Sequence, residues 1–291
     1  MPTLLDFRRR IRSVKNTQQI TRAMKFVAAA RLRRAQEAAL AARPYAKELA
    51  RVLRSIMSRI EQPEHPLLAQ RPEEKILVIV LSGERGLAGA FNSNILRKAT
   101  ELLRANKGKK LSIIPVGKKG RDALRRAGFT FAAEYVDVLA RVDFAIARDI
   151  ASLVTDLYAK EEADSVYVVF SEFKTVMTSN LVVEKLLPVQ ALPADDESGD
   201  ARASTQVDYI YEQPKEALLD KLLPRYVETQ VLRAMLESSA AEYAARMTAM
   251  ESATKNAGEV IEALTLHMNK VRQAAITKEI IEIVSGASST A

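Results

Sequence analysis

Residues 75–92 read KILVIVLSGERGLAGAFN, and the change of pattern inside this stretch decides the fold. Lys75 to Leu81 is a short, nearly continuous apolar run rich in β-branched residues, the composition of a strand covered on both faces. A glycine-rich turn occupies 83–89, and a helical pattern over 92–106 follows it. Moving outward, the pattern predicts a strand at 111–116, a helix at 118–127, a weaker strand at 129–135, a helix at 142–160, a strand at 165–170 and a last strand over 181–190. Strands alternating with helices predict an α/β layer with a mainly parallel, Rossmann-like sheet.

Both flanks are helical. Residues 3–60 open on Thr3 and Asp6, spaced as in a capping box. Apolar positions Phe7, Ile11 and Val14 recur at four and three; Ile20, Met24 and Val27 continue them, offset by the polar stretch 16–19; Leu49, Leu53, Ile56 and Ile60 resume them. Pro44 is expected to kink or split this helix near Arg43. At the other end, Pro214 is placed to open a helix, Pro224 to kink or restart it, and Gly286 to stop it, with Ile261, Leu264, Met268, Val271 and Ala275 forming its apolar stripe. A long amphipathic helix needs a partner for its stripe. Each terminal helix finds its nearest partner in the other, so we expect a long antiparallel coiled coil attached to the α/β domain. The expected divisions are 1–60 for the first long helix, 73–207 for the α/β domain and 208–291 for the second long helix. The acidic stretch 193–205 reads as a mobile loop.

The chain has 291 residues, no Cys, no Trp and two His. Thiolate chemistry, disulfides and Cys-based metal sites are therefore excluded. The N-terminus shows no signal-peptide pattern and no apolar run reaches the roughly 20 residues of a membrane span, so a soluble or peripheral protein is expected. The net charge of +8 is lopsided: residues 1–60 hold fifteen Lys/Arg against three Asp/Glu, whereas 208–291 hold nine against twelve. A basic arm fits nucleic acid, an anionic membrane or acidic protein, and composition does not choose among them.

The turn at 82–89 lies between strand and helix, where phosphate loops occur. Its spacing, G-x-x-G-x-x-G, is neither the dinucleotide fingerprint nor the P-loop, and it is read as a tight turn. The run Val116–Gly120 is read likewise. His65 is expected at the surface and His267 packed beside an apolar stripe. No set of nucleophile, base and oxyanion donors is apparent, so catalysis by this chain alone is not expected, nor is a cofactor or metal.

The stretch from Val14 to Lys25 (VKNTQQITRAMK), with Val27-Ala28-Ala29, closely resembles the N-terminal motif of the gamma subunit of F-type ATP synthase. Arg85-Gly86-Leu87 with Phe91–Asn94 resembles that family's central motif, and Ala275–Glu279 with Glu282 and Gly286-Ala287 its C-terminal signature. The resemblance runs in order along the whole chain. It implies a rotor shaft whose helices enter a hexamer of alpha and beta subunits, while the α/β domain bears on the ring of c subunits and binds epsilon. It places catalysis in the beta subunits, and the chain peripherally on the cytoplasmic face of a bacterial plasma (inner) membrane. By matching motif, Met24 and Lys25 lie beside catalytic-subunit lever loops, Arg272, Gln273, Thr277 and Glu279 form a catch with a beta-subunit loop, and Ala287 lies near the shaft tip. Tyr209 and Tyr211 fall on the rotor-ring side. Ala88-Gly89-Ala90 stands where relatives often carry Cys and Gly-Gly, and the paired-Cys insertion of chloroplast relatives is absent. Two other readings make different predictions. A basic coiled coil binding nucleic acid requires a strongly salt-dependent complex, and a nucleotide-dependent α/β enzyme requires saturable nucleotide binding.

Overall fold

The computed structural model describes residues 3–58, 60, 65–189 and 214–289. Helix α1 spans Leu4–Met57. The Thr3 N–H and hydroxyl donate to Asp6 Oδ2 at 2.9 and 2.8 Å, and the Asp6 N–H donates back to the Thr3 hydroxyl at 3.3 Å. That reciprocal cap starts the helix. Pro44 lies inside α1 and does not split it. Proline frees the carbonyl one turn back, here that of Leu40. Pro44 and Leu40 are both exposed, so water reaches the freed oxygen. Buried Ala39, Ala46, Leu49 and Leu53 hold the helix on either side.

The α/β part comprises β1 (Lys75–Leu81), α2 (Phe91–Ala105), β2 (Lys110–Val116), α3 (Lys118–Arg126), α4 (Phe144–Ala159), β3 (Ser165–Phe173) and β4 (Ser179–Leu187). The sheet order is β2-β1-β3-β4, with β1 parallel to β2 and β3, and β4 antiparallel to β3. Residues 174–178 are too few for a crossover, which forces β4 to return antiparallel. The strand expected at 129–135 is reduced to two isolated bridges, Ile113 to Phe131 and Val116 to Tyr135. Alternate residues of β1 feed two cores. Leu77, Ile79 and Leu81 pack with Ile150, Val154 and Tyr158 of α4. Ile76, Val78 and Val80 pack with Phe91, Ile95 and Leu103 of α2. Burial on both faces is the reason the strand reads as an unbroken apolar run.

Helix α5 spans Lys215–Ser289. It passes Pro224 without a break and runs through Gly286, so neither residue interrupts it as expected. An interior glycine costs a helix about 1 kcal/mol but does not forbid it. The chain divides into two compact units, Met1–Ala29 with Arg246–Ala291, and Ala30–Ala245. Within each, α1 and α5 run antiparallel: in the first, Phe7 meets His267 while Lys25 meets Glu251, and in the second, Arg31 meets Tyr243 while Arg43 meets Glu237. The acidic stretch 193–205, with Tyr209 and Tyr211, lies outside the described residues.

Candidate functional site

In the unit formed by 1–29 and 246–291, the covered positions of α1 include Phe7, Ile11, Val14, Gln18, Thr21, Lys25 and Ala28, with Met24 and Ala29 beside them. Those of α5 include Met250, Thr254, Ala257, Ile261, Leu264, Met268 and Val271. Both follow alternating steps of four and three, the 3.5-residue period of a left-handed coiled coil. The apolar stripe read through Ile20, Met24 and Val27 keeps Met24, which is half-buried, and is corrected at the other two: Ile20 and Val27 are more than half exposed, while Thr21 is buried. The strict seven-residue repeat from Phe7 lands on polar side chains at 18, 21 and 25, and the interface accommodates them by hydrogen bonding. The Thr254 hydroxyl donates to that of Thr21 at 2.8 Å, and Gln18 Nε2 donates to the Thr254 carbonyl at 3.4 Å. Lys25 Nζ meets Glu251 Oε1 at 2.6 Å. Gln18, Lys25, Glu251 and Thr254, with Arg22, Phe26 and Gly258, line a groove of about 690 Å³. Phe7 is buried with its ring 4.9 Å from that of His267.

The side chains this repeat turns outward include apolar and basic ones. Ile20, Phe26 and Val27 are exposed, as are Arg8, Arg9, Arg10, Arg12 and Arg22. On α5, residues 276–285 are exposed throughout, among them Ile276, Ile280, Ile281, Ile283 and Val284. Helical spacing puts Arg272, Ile276, Glu279 and Ile283 on one face, with Gln273, Thr277, Ile280 and Val284 beside it. Arg272, Gln273, Thr277 and Glu279 are all exposed. The Thr277 hydroxyl donates to the Gln273 carbonyl at 2.9 Å, and Lys278 pairs with Glu282. Met24 and Lys25 are half-buried, so Met24 serves the helix interface whatever else it does. Ala287 lies within α5, its side chain outside the described set. The sequence reading missed Ile20, Phe26 and Val27 as an outward surface. Extending the seven-residue repeat from Phe7 would have found them.

The glycine-rich turn belongs to the unit 30–245, and its side chains accept backbone donors from α3 and from the segment before α4. Glu84 accepts the Lys118 N–H at 3.0 Å and the Val138 N–H at 3.1 Å, and the Ser82 hydroxyl accepts the Gly120 N–H at 2.7 Å. The first turn of α3, where a phosphate would dock, is thus capped by a carboxylate and a hydroxyl of the turn itself. Asn92 accepts the Gly83 N–H at 2.8 Å. Gly117 has φ +103°, and a Cβ there would collide with the Ser82 carbonyl. Leu87 is exposed with φ +64°.

His65 departs from its expected surface position. Its side chain is 11% exposed, its Nδ1 accepts the Leu67 N–H at 3.0 Å, and its Nε2 lies 3.7 Å from Asp220. Burial pushes its pKa down, with Asp220 opposing. Among the described residues, no cluster of acidic and His side chains is suited to a metal, and no helix is long and apolar enough to cross a membrane.

A protein family described as ATP synthase matches residues 3–290. The ATP synthase gamma chain of Pelotomaculum thermopropionicum is 48% identical over 288 residues, covering 99% of both chains. That of Desulforamulus reducens is 50% identical over 288 residues with the same coverage. Among solved structures, a chain of the Euglena gracilis mitochondrial ATP synthase OSCP/F1/c-ring assembly aligns with a TM-score of 0.69 at 20% identity, over 99% of this chain and 94% of that one. A chain of the Tetrahymena thermophila mitochondrial ATP synthase central stalk and c-ring aligns at 0.60 with 24% identity, over 80% of this chain and 99% of that one.

Proposed function

The chain belongs to the ATP synthase gamma-chain family, and from that premise we propose that it turns inside the catalytic hexamer as a shaft, coupling ion-driven rotation to the cycling of the beta subunits. The chain is a non-catalytic subunit of that enzyme. The observation that carries the mechanical reading is the outward surface of the coiled-coil unit. A free protein seldom leaves a row of isoleucines exposed beside arginines, but a shaft sliding within a sleeve of other subunits requires such a face.

The mechanism follows from that face. Apolar side chains at 276–284 give contact with little directional preference, so the tip rotates against its surroundings without deep energy minima. Charged and polar groups give the angular preference. Arg272, Gln273, Thr277 and Glu279 form the catch with a beta-subunit loop, and the basic α1 face meets acidic loops of the catalytic subunits through charge-assisted bonds that change with angle. Met24 and Lys25 stand beside the lever loops. Lys25, already bound to Glu251, would exchange that partner as the shaft turns. Ala287 sits nearest the tip. The α/β domain binds epsilon and bears on the c-ring, with Tyr209 and Tyr211 on the ring side. The complex holds the chain peripherally on the cytoplasmic face of a bacterial plasma membrane.

Co-purification tests this. A tagged chain expressed in its own cell should carry alpha, beta and epsilon subunits with it. Recovery alone, or with nucleic acid in a salt-sensitive complex, would refute the reading. Arg272→Ala with Gln273→Ala should lower ATPase of the assembled enzyme at least about tenfold while leaving unfolding of the isolated chain within about 1 kcal/mol, the usual range for two exposed positions.

A further inference from the structure

Within the unit 30–245, Leu49, Leu53 and Ile56 of α1 share one core with Leu223, Val227, Val231 and Met235 of α5. Around Arg43 and Glu237 the buried side chains are smaller, among them Ala39 and Ala46 of α1 and Ala234 and Ala240 of α5. Alanine offers shallow ridges, and apolar contact is non-directional, so packing resists sliding and rolling least in this stretch. Directional bonds add resistance there.

Glu237 is placed for it. It is 3% exposed and stands on the α5 stretch that is buried on nearly every side. Its Oε1 accepts Arg43 Nε and Nη2 of α1 at 3.0 and 2.8 Å, and its Oε2 accepts the Phe173 N–H at the end of β3 at 3.2 Å. One carboxylate therefore ties α1, α5 and the sheet. The arginine precedes Pro44, where α1 lacks a backbone bond and is least able to resist bending. Neighbouring bonds fix α5 to the sheet and its loops: Arg233 pairs with Glu184 of β4 at 2.5 Å, and the Ser239 hydroxyl donates to the Leu139 carbonyl at 3.1 Å. For α1, the Arg43 fork to Glu237 supplies the corresponding tie.

We propose that Arg43 and Glu237 form the key that locks α1 to α5 and to the α/β sheet, so that torque entering the sheet passes into both helices of the shaft without slip. This rests on the shaft reading and names where that shaft is made stiff. Neither residue touches substrate; both are positioning residues.

The chain lacks Cys, so Lys107→Cys at an exposed site of the α/β domain gives it a unique handle for a bead. The assembled hexamer-plus-shaft complex is fixed to a surface by its beta subunits, and the bead's angular spread is recorded during the pauses of ATP-driven rotation. Arg43→Gln is the first variant, because Arg43 is half exposed and the change leaves Glu237 its backbone donor. Glu237→Gln is the second, and Lys98→Gln, which breaks the exposed Lys98–Glu101 pair within α2, is the control. The key predicts about a twofold broader angular variance for either of the first two variants, as loss of the charge-assisted bonds loosens what they joined. ATPase per complex and the control should stay unchanged, and Arg43→Lys should recover part of the stiffness. A stability role alone would lower the yield of complexes without widening the spread in those that assemble. Unchanged variance in the assembled Arg43→Gln complex overturns the proposal. Failure of the unmodified complex to rotate would instead overturn the shaft reading.

Discussion

Glu84 settles, with one side chain, what the glycine-rich turn is for. A carboxylate accepting two backbone N–H groups supplies the negative end that a helix N-terminus favours, and this one is 9% exposed. Glu84→Ala should cost about 1–2 kcal/mol, since two half-buried hydrogen bonds lose a charged acceptor, measured by urea unfolding of the chain. Gly117→Ala should cost at least about 3 kcal/mol by the same assay, because the new Cβ meets backbone that cannot yield at a positive φ. His65 gives a pH dependence with a definite sign. Its folded pKa lies below the ordinary 6.5, so between the two values the unfolded chain holds more protons. Stability from this group is complete above about 6.5 and is lost as pH falls through the folded value. His65→Asn keeps a capping acceptor for Leu67 and does not titrate. The urea midpoint of the native chain should therefore drop relative to this variant between pH 7.5 and pH 5, and parallel curves would refute the assignment. From sequence alone, a histidine between two prolines gave no sign that Asp220, 155 positions away, would face it.

At the scale of the elements, legibility depended on whether the signal was local. The strands β1, β2 and β3 and the helices α2, α3 and α4 could be read because apolar run length and turn residues act within one segment. Residues 129–135 could not, because whether an apolar segment pairs as a strand depends on space at the sheet edge. The coiled-coil seam failed for a different reason. Hydrophobicity pointed to Ile20 and Val27, whereas the partner helix demands a fixed seven-residue repeat and takes Gln18 and Thr21. Gly258 is the counterpart of that choice: a Cβ there would stand 3.2 Å from the Gln18 amide nitrogen. That nitrogen ends a flexible side chain and can swing aside, so the helix-propensity gain of about 1 kcal/mol outweighs a long, weak bond. Gly258→Ala should raise the stability of the chain by about 0.5 kcal/mol. A loss would mean that the Gln18–Thr254 bond matters more to the seam than its 3.4 Å length implies.

Across the whole molecule, the residues that point outward contribute least to folding, and they are the ones we propose to carry the function. The candidates Arg272, Gln273, Thr277 and Glu279 came from a motif, and their exposure is consistent with a partner-facing role but follows from no local rule of sequence. The isoleucines around them sharpen the distinction between stability and assembly. Burial of one such side chain is worth about 1.5–3 kcal/mol, yet Ile276, Ile280, Ile283 and Val284 remain about 49–72% exposed in the single chain, so most of that free energy is unspent there. Replacing the four with Ser should leave the unfolding free energy of the isolated chain within about 2 kcal/mol, counting about 0.5 kcal/mol for each surface change, and should reduce its self-association. In the assembled enzyme the same change removes the apolar face against which the tip turns. The complex should then dissociate at a lower urea concentration, measured as release of this chain from the alpha and beta subunits. If release is unchanged while the isolated chain unfolds more easily, these side chains are folding residues, and the division of labour between seam and outer face is wrong.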